Sequence, residues 1–74
     1  MSQLLDHITA EIRAELARQR KPARALAEPL GISETQVSKR LSGEVAFNVP
    51  ELEIVAEVLA VPVVQFFPVP ERAS

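Results

Sequence analysis

The chain has 74 residues, the size of one small domain, and 47% of them are hydrophobic. It has no cysteine and one histidine, His7, so a disulfide framework, a Cys-based zinc site and a metal site built from histidines are all excluded. No stretch approaches the ~18 apolar residues of a membrane span. The acidic N-terminus does not resemble a signal peptide, so we expect a cytoplasmic protein with no membrane partner.

The formal net charge is −2, but the charges are unevenly distributed along the chain. Residues 13–43 hold seven of the eight lysines and arginines and three acids, whereas residues 44–74 hold one base and five acids. Such a molecule can present a basic face to a polyanion although it is acidic as a whole. The alternative is that these side chains are solvated helix faces, which is what most surface charges are.

Two helices are predicted in the first part of the chain. The first runs from Ser2 or Gln3 to Gln19, where apolar residues recur at steps of three and four. The second begins near Pro22 and stops near Leu30, because Pro29 lacks an amide donor and disfavours helix before it. The glycine that follows, Gly31, suits a left-handed turn past the helix end.

The third predicted helix has a strong start signal. Ser33 and Gln36 have the spacing of a capping box, and the helix ends before Gly43. At about 100° per residue, Val37 and Leu41 share a face that points to the core. The outward residues of this helix are Thr35, Gln36, Lys39 and Ser42.

The fourth predicted helix begins with a second capping box, formed by Asn48 and Glu51, and is broken by Pro62. A short turn of helix is expected over residues 63–67. The sequence therefore predicts a compact all-α domain of four to five helices over residues 1–67, with a helix-turn-helix, and a frayed tail over residues 68–74.

The segments LAEPLGIS at 26–33, VSKRLSG at 37–43 and PELEIVAEVLAVPVVQFF at 50–67 resemble the lambda-repressor-like Cro/cI (XRE) helix-turn-helix family. The likeness covers residues 12–67, and the sequence of residues 37–43 is similar to that of actinobacterial and actinophage members. In that family the second helix crosses the DNA backbone and the third enters the major groove. The resemblance thus implies a regulator of double-stranded DNA. Because a single reading head makes few contacts, we also expect a homodimer, at least on DNA.

Base readout is predicted for four residues at the start and outer face of the third helix. Thr35 suits a thymine methyl group, Gln36 an adenine, and Lys39 a guanine. Glu34 either favours the helix dipole or accepts a hydrogen bond from cytosine. The alternative for the whole set is a hydrated polar face with no ligand.

Backbone anchoring is predicted for seven residues on and around the second and third helices. They are Arg20, Lys21, Arg24, Ser33, Ser38, Arg40 and Ser42. The family often has glutamine at the first turn of the second helix as a phosphate clamp, whereas this chain has Ala23. Arg24 or a backbone amide is the candidate replacement for that clamp.

A dimer surface is sought in the C-terminal third, because a single reading head binds DNA weakly. The candidate is an apolar patch, which either pairs two copies of the chain or is covered by the first helix or the tail. It consists of Ile54, Val58, Val63, Phe66 and Phe67, with Val69 beyond them.

The function predicted from these features is a sequence-specific double-stranded DNA-binding transcriptional regulator of the repressor or Cro type. The alternative is a protein-interaction module, such as an antirepressor or antitoxin-like subunit, which uses the apolar tail and the acidic residues Glu51, Glu53 and Glu57. No nucleophile–base pair and no glycine-rich phosphate loop is present, so neither an enzyme nor a cofactor or small-molecule site is expected.

Overall fold

A computed structural model describes residues 3–68 as an all-α domain of four helices, and this part of the chain contains no strand. Helix α1 spans Gln3–Arg18, α2 spans Ala27–Leu30, α3 spans Glu34–Leu41 and α4 spans Val49–Leu59. A 3₁₀ turn, Ala23–Leu26, leads into α2, and a second one, Val63–Phe66, follows α4. The predicted fold class is confirmed. Of the predicted tail, the six residues after Pro68 lie outside the described residues, as does Ser2.

None of the helices between residues 3 and 68 is both long enough and apolar enough to cross a bilayer.

The starts of α3 and α4 are fixed by their caps. The Ser33 hydroxyl accepts the Gln36 amide proton at 3.1 Å. At α4 the capping box is complete: the Asn48 side chain accepts the Glu51 amide at 2.8 Å, and the Glu51 carboxylate accepts the Asn48 amide at 3.0 Å. Each cap satisfies amide donors that a helix leaves unpaired in its first turn. Both predicted helix starts are thus confirmed, but the capping box predicted at α3 is only half formed, because the Gln36 side-chain oxygen accepts from Arg40 and not from the Ser33 amide.

The second predicted helix differs from expectation in one respect: its first turn is 3₁₀ and only Ala27–Leu30 is α-helical. Pro29 has no N–H to give to the carbonyl four residues earlier, so the preceding turn tightens. Gly31 then adopts φ +69°, the left-handed conformation predicted for it. A Cβ added to Gly31 would meet no atom within 4 Å, so its backbone conformation, and not lack of space, favours glycine there.

The hydrophobic core is formed by α1, α3, α4 and both 3₁₀ turns, and the partly buried Ala27 and Leu30 of α2 pack against it. Its fully buried side chains include Ile12, Leu26, Val37, Leu59 and Phe66, each at most 1% exposed. Helix α1 and α4 both pack on the second 3₁₀ turn, and α3 packs on the first 3₁₀ turn and on α1. The second 3₁₀ turn is therefore a structural part of the domain.

The predicted dimer patch is wrong in including Phe66. Its side chain is completely buried between α1 and α4, so it has no surface to offer a second copy. Val58, Val63 and Phe67 are half-buried against the same core, and Ile54 is half-exposed on α4. Val69, the last residue of the predicted patch, lies outside the described residues.

A buried carboxylate, Glu15, ties the end of α1 to the C-terminal part of the domain. It accepts hydrogen bonds from Arg18, from the Gln19 amide at 2.8 Å and from the Gln65 amide at 3.0 Å. The Gln19 amide also donates to the Leu59 carbonyl at 2.7 Å, at the end of α4. The hydrogen bond from Arg18, followed by that from Gln19, holds the pKa of the Glu15 carboxyl below its ordinary value.

This lowered pKa predicts that Glu15 stabilises the fold at neutral pH and not in acid. Because the pKa is lower in the folded state, the contribution is fully present above the unfolded pKa of about 4.5 and disappears as the pH falls through the folded value. We expect Glu15→Gln to lower the urea midpoint at about pH 7 and to match the wild type at about pH 2. The exposed Glu53→Gln is the control; an equal loss at both pH values would contradict this role.

Candidate nucleic-acid interface

Helix α3 is held against the domain by one face and open on the other. Val37 and Leu41 are buried, at 1% and 6% exposure, and point into the core as predicted. Thr35 and Ser38 are exposed on the opposite face, and Lys39 is half-exposed beside them. The helix is eight residues long and joined to α2 by a three-residue turn around Gly31. Helix α3 therefore has one buried apolar face and one exposed polar face.

The four predicted base-reading residues fall into two groups. The side chains of Glu34, Thr35 and Lys39 have no hydrogen bond or ion pair with any residue from 3 to 68. Gln36 differs, because its side-chain oxygen accepts a hydrogen bond from Arg40 Nη1 at 3.0 Å. All four lie on α3, Glu34, Thr35 and Gln36 in its first turn and Lys39 in its last turn, and Glu34, Thr35 and Lys39 are unengaged.

Seven side chains are predicted to contact the DNA backbone, and three of them instead form hydrogen bonds or an ion pair within the protein. The Lys21 ammonium donates to the Val58 carbonyl at 3.2 Å, and the Ser42 hydroxyl donates to the Lys39 carbonyl at 2.9 Å. The Arg40 guanidinium binds the Glu51 carboxylate. Each of these groups caps or joins helices, and a phosphate would have to compete with those bonds.

The other four side chains predicted to contact the DNA backbone have hydrogen-bond donors that find no acceptor among residues 3–68. Arg20 and Arg24 are exposed at the end of α1 and at the first 3₁₀ turn. Arg20 has φ +57°, because it forms the left-handed end of α1. Ser38 is exposed on α3, and Ser33 accepts a hydrogen bond while its own hydroxyl proton stays available.

The ion pair between Arg40 and Glu51 joins α3 to the start of α4. Arg40 Nε and Nη2 reach the two carboxylate oxygens at 3.3 and 3.2 Å, with the side chains only 14% and 16% exposed. Burial raises the pKa of Glu51, but the hydrogen bonds from Arg40 and from the Asn48 amide outweigh it and hold the pKa below its ordinary value. The pair therefore stays charged at neutral pH.

Sequence reasoning missed a second contact that supports α3. The Arg13 guanidinium on α1 donates to the Leu41 carbonyl in the last turn of α3. A cation there satisfies a carbonyl that the helix leaves unpaired and complements the helix dipole. The two residues are 28 positions apart, so no local spacing signals this contact.

No group of acidic, histidine or cysteine side chains between residues 3 and 68 is arranged to hold a metal ion.

The family comparison matches almost the whole chain. Residues 2–73 match the BetR domain, a helix-turn-helix transcriptional regulator-like domain. No curated protein and no solved structure matches the chain significantly. The likeness to Cro/cI proteins agrees with this family at the level of a helix-turn-helix regulator. Because the match covers residues 2–73, the chain belongs to the BetR domain family, and membership of this family suggests a DNA-binding transcriptional regulator.

Proposed function

We propose that this chain is a sequence-specific double-stranded DNA-binding regulator of the repressor or Cro type that inserts α3 into the major groove. The observation that carries the proposal is the division of α3 into two faces. Val37 and Leu41 are locked in the core, whereas Thr35, Ser38 and Lys39 face outward with no partner among residues 3–68. A major groove about 12 Å wide admits such a helix.

Base reading is assigned first to the unengaged side chains of α3. Lys39 can donate to guanine O6 and N7, and Thr35 can contact a thymine methyl group. Glu34 can accept from the amino group of cytosine, or it serves only the helix dipole. Gln36 keeps its two amide N–H donors, because only its oxygen is bound to Arg40.

Phosphate anchoring is assigned to the donors that the protein does not use. Arg20 and Arg24 flank the start of the first 3₁₀ turn, and Ser33 and Ser38 lie on or beside α3. Lys21, Arg40 and Ser42 are left out of this set, because each already donates within the protein. Phosphate contacts position the protein on the duplex, and base contacts specify the sequence.

The experiment that tests the proposal is fluorescence anisotropy of the full chain with a labelled random-sequence duplex over a range of salt concentrations. We expect binding at low salt that weakens steeply with salt, with a slope of about −0.9 per neutralised phosphate. Binding that does not depend on salt, or no binding at low salt, would contradict a DNA-binding role.

Arg24→Ala is expected to weaken binding to all duplexes by the same factor. An exposed arginine without an intramolecular partner contributes by neutralising a phosphate, so its loss should reduce the salt slope by about 1 and leave sequence preference unchanged. Arg18→Ala is the control, because Arg18 is paired with Glu15. A change of sequence preference in Arg24→Ala would mean that Arg24 contacts a base and not the phosphate backbone.

An apolar groove favours a second candidate function, a protein-interaction module of the antirepressor or antitoxin type. The groove has a volume of about 360 Å³ and lies between the start of α1 and the start of α4. Leu4 and Val49 on its rim are 47% and 65% exposed. Failure to bind duplex DNA at low salt, combined with capture of a protein partner that Leu4→Asp abolishes, would favour this candidate.

A homodimer on DNA remains part of the proposal, because one head with few phosphate contacts binds weakly and paired heads read two half-sites ~34 Å apart. The C-terminal surface available for it includes Ile54, Val58, Val63 and Phe67, all half-exposed, and Val64, which is 66% exposed. Sedimentation of the chain with and without duplex tests this. A single chain per duplex at saturation would contradict it.

A further inference from the structure

The Arg40 guanidinium lies where α3, the start of α4 and the candidate base-reading residues meet. It makes four hydrogen bonds within the protein, out of the five N–H donors that an arginine has. Two go to Glu51, and two go from Nη1 to Gln36, one to its backbone carbonyl at 3.2 Å and one to its side-chain oxygen at 3.0 Å. The guanidinium is thus fully directed into the protein.

The orientation of the Gln36 amide follows from this contact. A glutamine that reads adenine uses its oxygen and its amide nitrogen together, one as acceptor and the other as donor. Here the oxygen already accepts a hydrogen bond from a cation, and only the NH₂ group has no partner among residues 3–68. Arg40 occupies one of the two lone pairs of this oxygen, so Gln36 presents its NH₂ donors to a ligand more readily than its acceptor.

The position of Arg40 is in turn fixed by Glu51. The Glu51 carboxylate is held by the Asn48 amide in the α4 capping box, so it cannot swing away without breaking that cap. The chain of contacts runs from the cap of α4 through Glu51 and Arg40 to Gln36. Both side chains of the ion pair are mostly buried, which limits screening by solvent and salt.

We propose that Arg40 is a positioning residue for DNA reading, which acts through Gln36 and makes no phosphate contact of its own. Held in this way, Gln36 favours a base edge that its NH₂ group alone can read, guanine N7 and O6 or thymine O4, over the bidentate pairing with adenine, which also needs its oxygen. This inference rests on the proposed function, since it needs α3 to lie in the major groove.

The test starts from selection of bound sequences from a random duplex pool with the wild type, Gln36→Ala, Arg40→Met and Glu51→Gln. Affinities are then measured for the selected duplex and its single-base variants at several salt concentrations. Glu51→Gln is the central variant, because glutamine at that position preserves the capping box and so keeps α4 intact. Glu53→Gln, an exposed acid on the same helix with no partner in the described chain, is the matched control.

We expect one guanine or thymine position in the selected site to lose about tenfold of its preference in Gln36→Ala, the size of one good base contact. Arg40→Met and Glu51→Gln should relax the same position and leave the salt slope unchanged, and Glu53→Gln should behave as the wild type. The result for Glu51→Gln is diagnostic, because removing a negative charge would otherwise strengthen binding to DNA.

Three results would overturn the inference: an adenine at the position that Gln36 reads, a salt slope reduced by about 1 in Arg40→Met as for a phosphate contact, or unchanged preference in Glu51→Gln. Circular dichroism of each variant checks that α3 and α4 are still formed. If the wild type selects no sequence at all, the proposed function itself fails and the inference fails with it. A wild type that selects a site which the variants read equally well rejects the inference alone.

Discussion

Phe66→Ala is expected to remove a large part of the domain's free energy of unfolding. The side chain is completely buried between α1 and α4, and truncating a buried phenylalanine costs about 3–5 kcal/mol. A 74-residue chain has a free energy of unfolding of only about 4–11 kcal/mol. Urea unfolding followed by circular dichroism measures the loss directly.

The matched control for this prediction is Val64→Ala, in the same 3₁₀ turn. Val64 is 66% exposed, so its truncation should change the free energy of unfolding by about 0.5 kcal/mol or less. Equal effects of the two substitutions would mean that the 3₁₀ turn does not seal the core. A Phe66→Ala variant as stable as the wild type would have the same meaning, and would return Phe66 to the candidate dimer surface.

Lys39→Ala is expected to abolish discrimination at one base pair of the preferred site. Lys39 is on the outer face of α3 and has no hydrogen bond or ion pair with residues 3–68, so its ammonium is available to guanine O6 and N7. Loss of such a contact costs about 1–3 kcal/mol of discrimination, or roughly 5- to 150-fold in relative affinity. Competition between the preferred duplex and its single-base variants measures this loss.

Arg24→Ala is the matched control for Lys39→Ala, because both remove one unpaired positive charge. We expect Arg24→Ala to weaken the preferred and substituted duplexes equally, whereas Lys39→Ala weakens only the preferred one beyond the common electrostatic loss. If both variants weaken all duplexes equally, Lys39 contacts phosphate and the base-reading assignment moves to Thr35, Glu34 and Gln36.

The helices could be predicted from the sequence because their signals are local. Ser33 and Asn48 cap helices three residues before the amides that they accept, and Gly31 takes the left-handed conformation that its place after Leu30 indicates. The buried face of α3 also follows from the period of the helix, with Val37 and Leu41 one turn apart. These features depend only on neighbours within a few residues.

The contacts that tune the site could not be predicted, because they join distant parts of the chain. Arg40 and Lys21 both lie in the basic segment 13–43, and from the sequence alone both are predicted to contact phosphate. Their actual partners, Glu51 and the Val58 carbonyl, are 11 and 37 positions away. Which of two adjacent phenylalanines, Phe66 or Phe67, enters the core is likewise decided by how α1 packs on the turn.

Because of these long-range contacts, only some of the basic side chains of the predicted interface are free to contact DNA. Arg40 and Lys21 stabilise the positions of α3 and α4, and Arg20, Arg24 and Lys39 are left with no partner in the described part of the chain. The number of cations available to DNA is thus smaller than the count of bases in residues 13–43 suggests. We expect a correspondingly modest affinity for a single copy of the chain.

The central claim, that α3 reads the major groove of a specific duplex, is tested most directly by methylation interference on the duplex selected from a random pool. Methyl groups at guanine N7 lie in the major groove and those at adenine N3 in the minor groove. We expect N7 methylation of guanines within one half-site to block binding, and Lys39→Ala to lose sensitivity at one of those guanines. Interference confined to adenine N3, or no interference at any base, would contradict it.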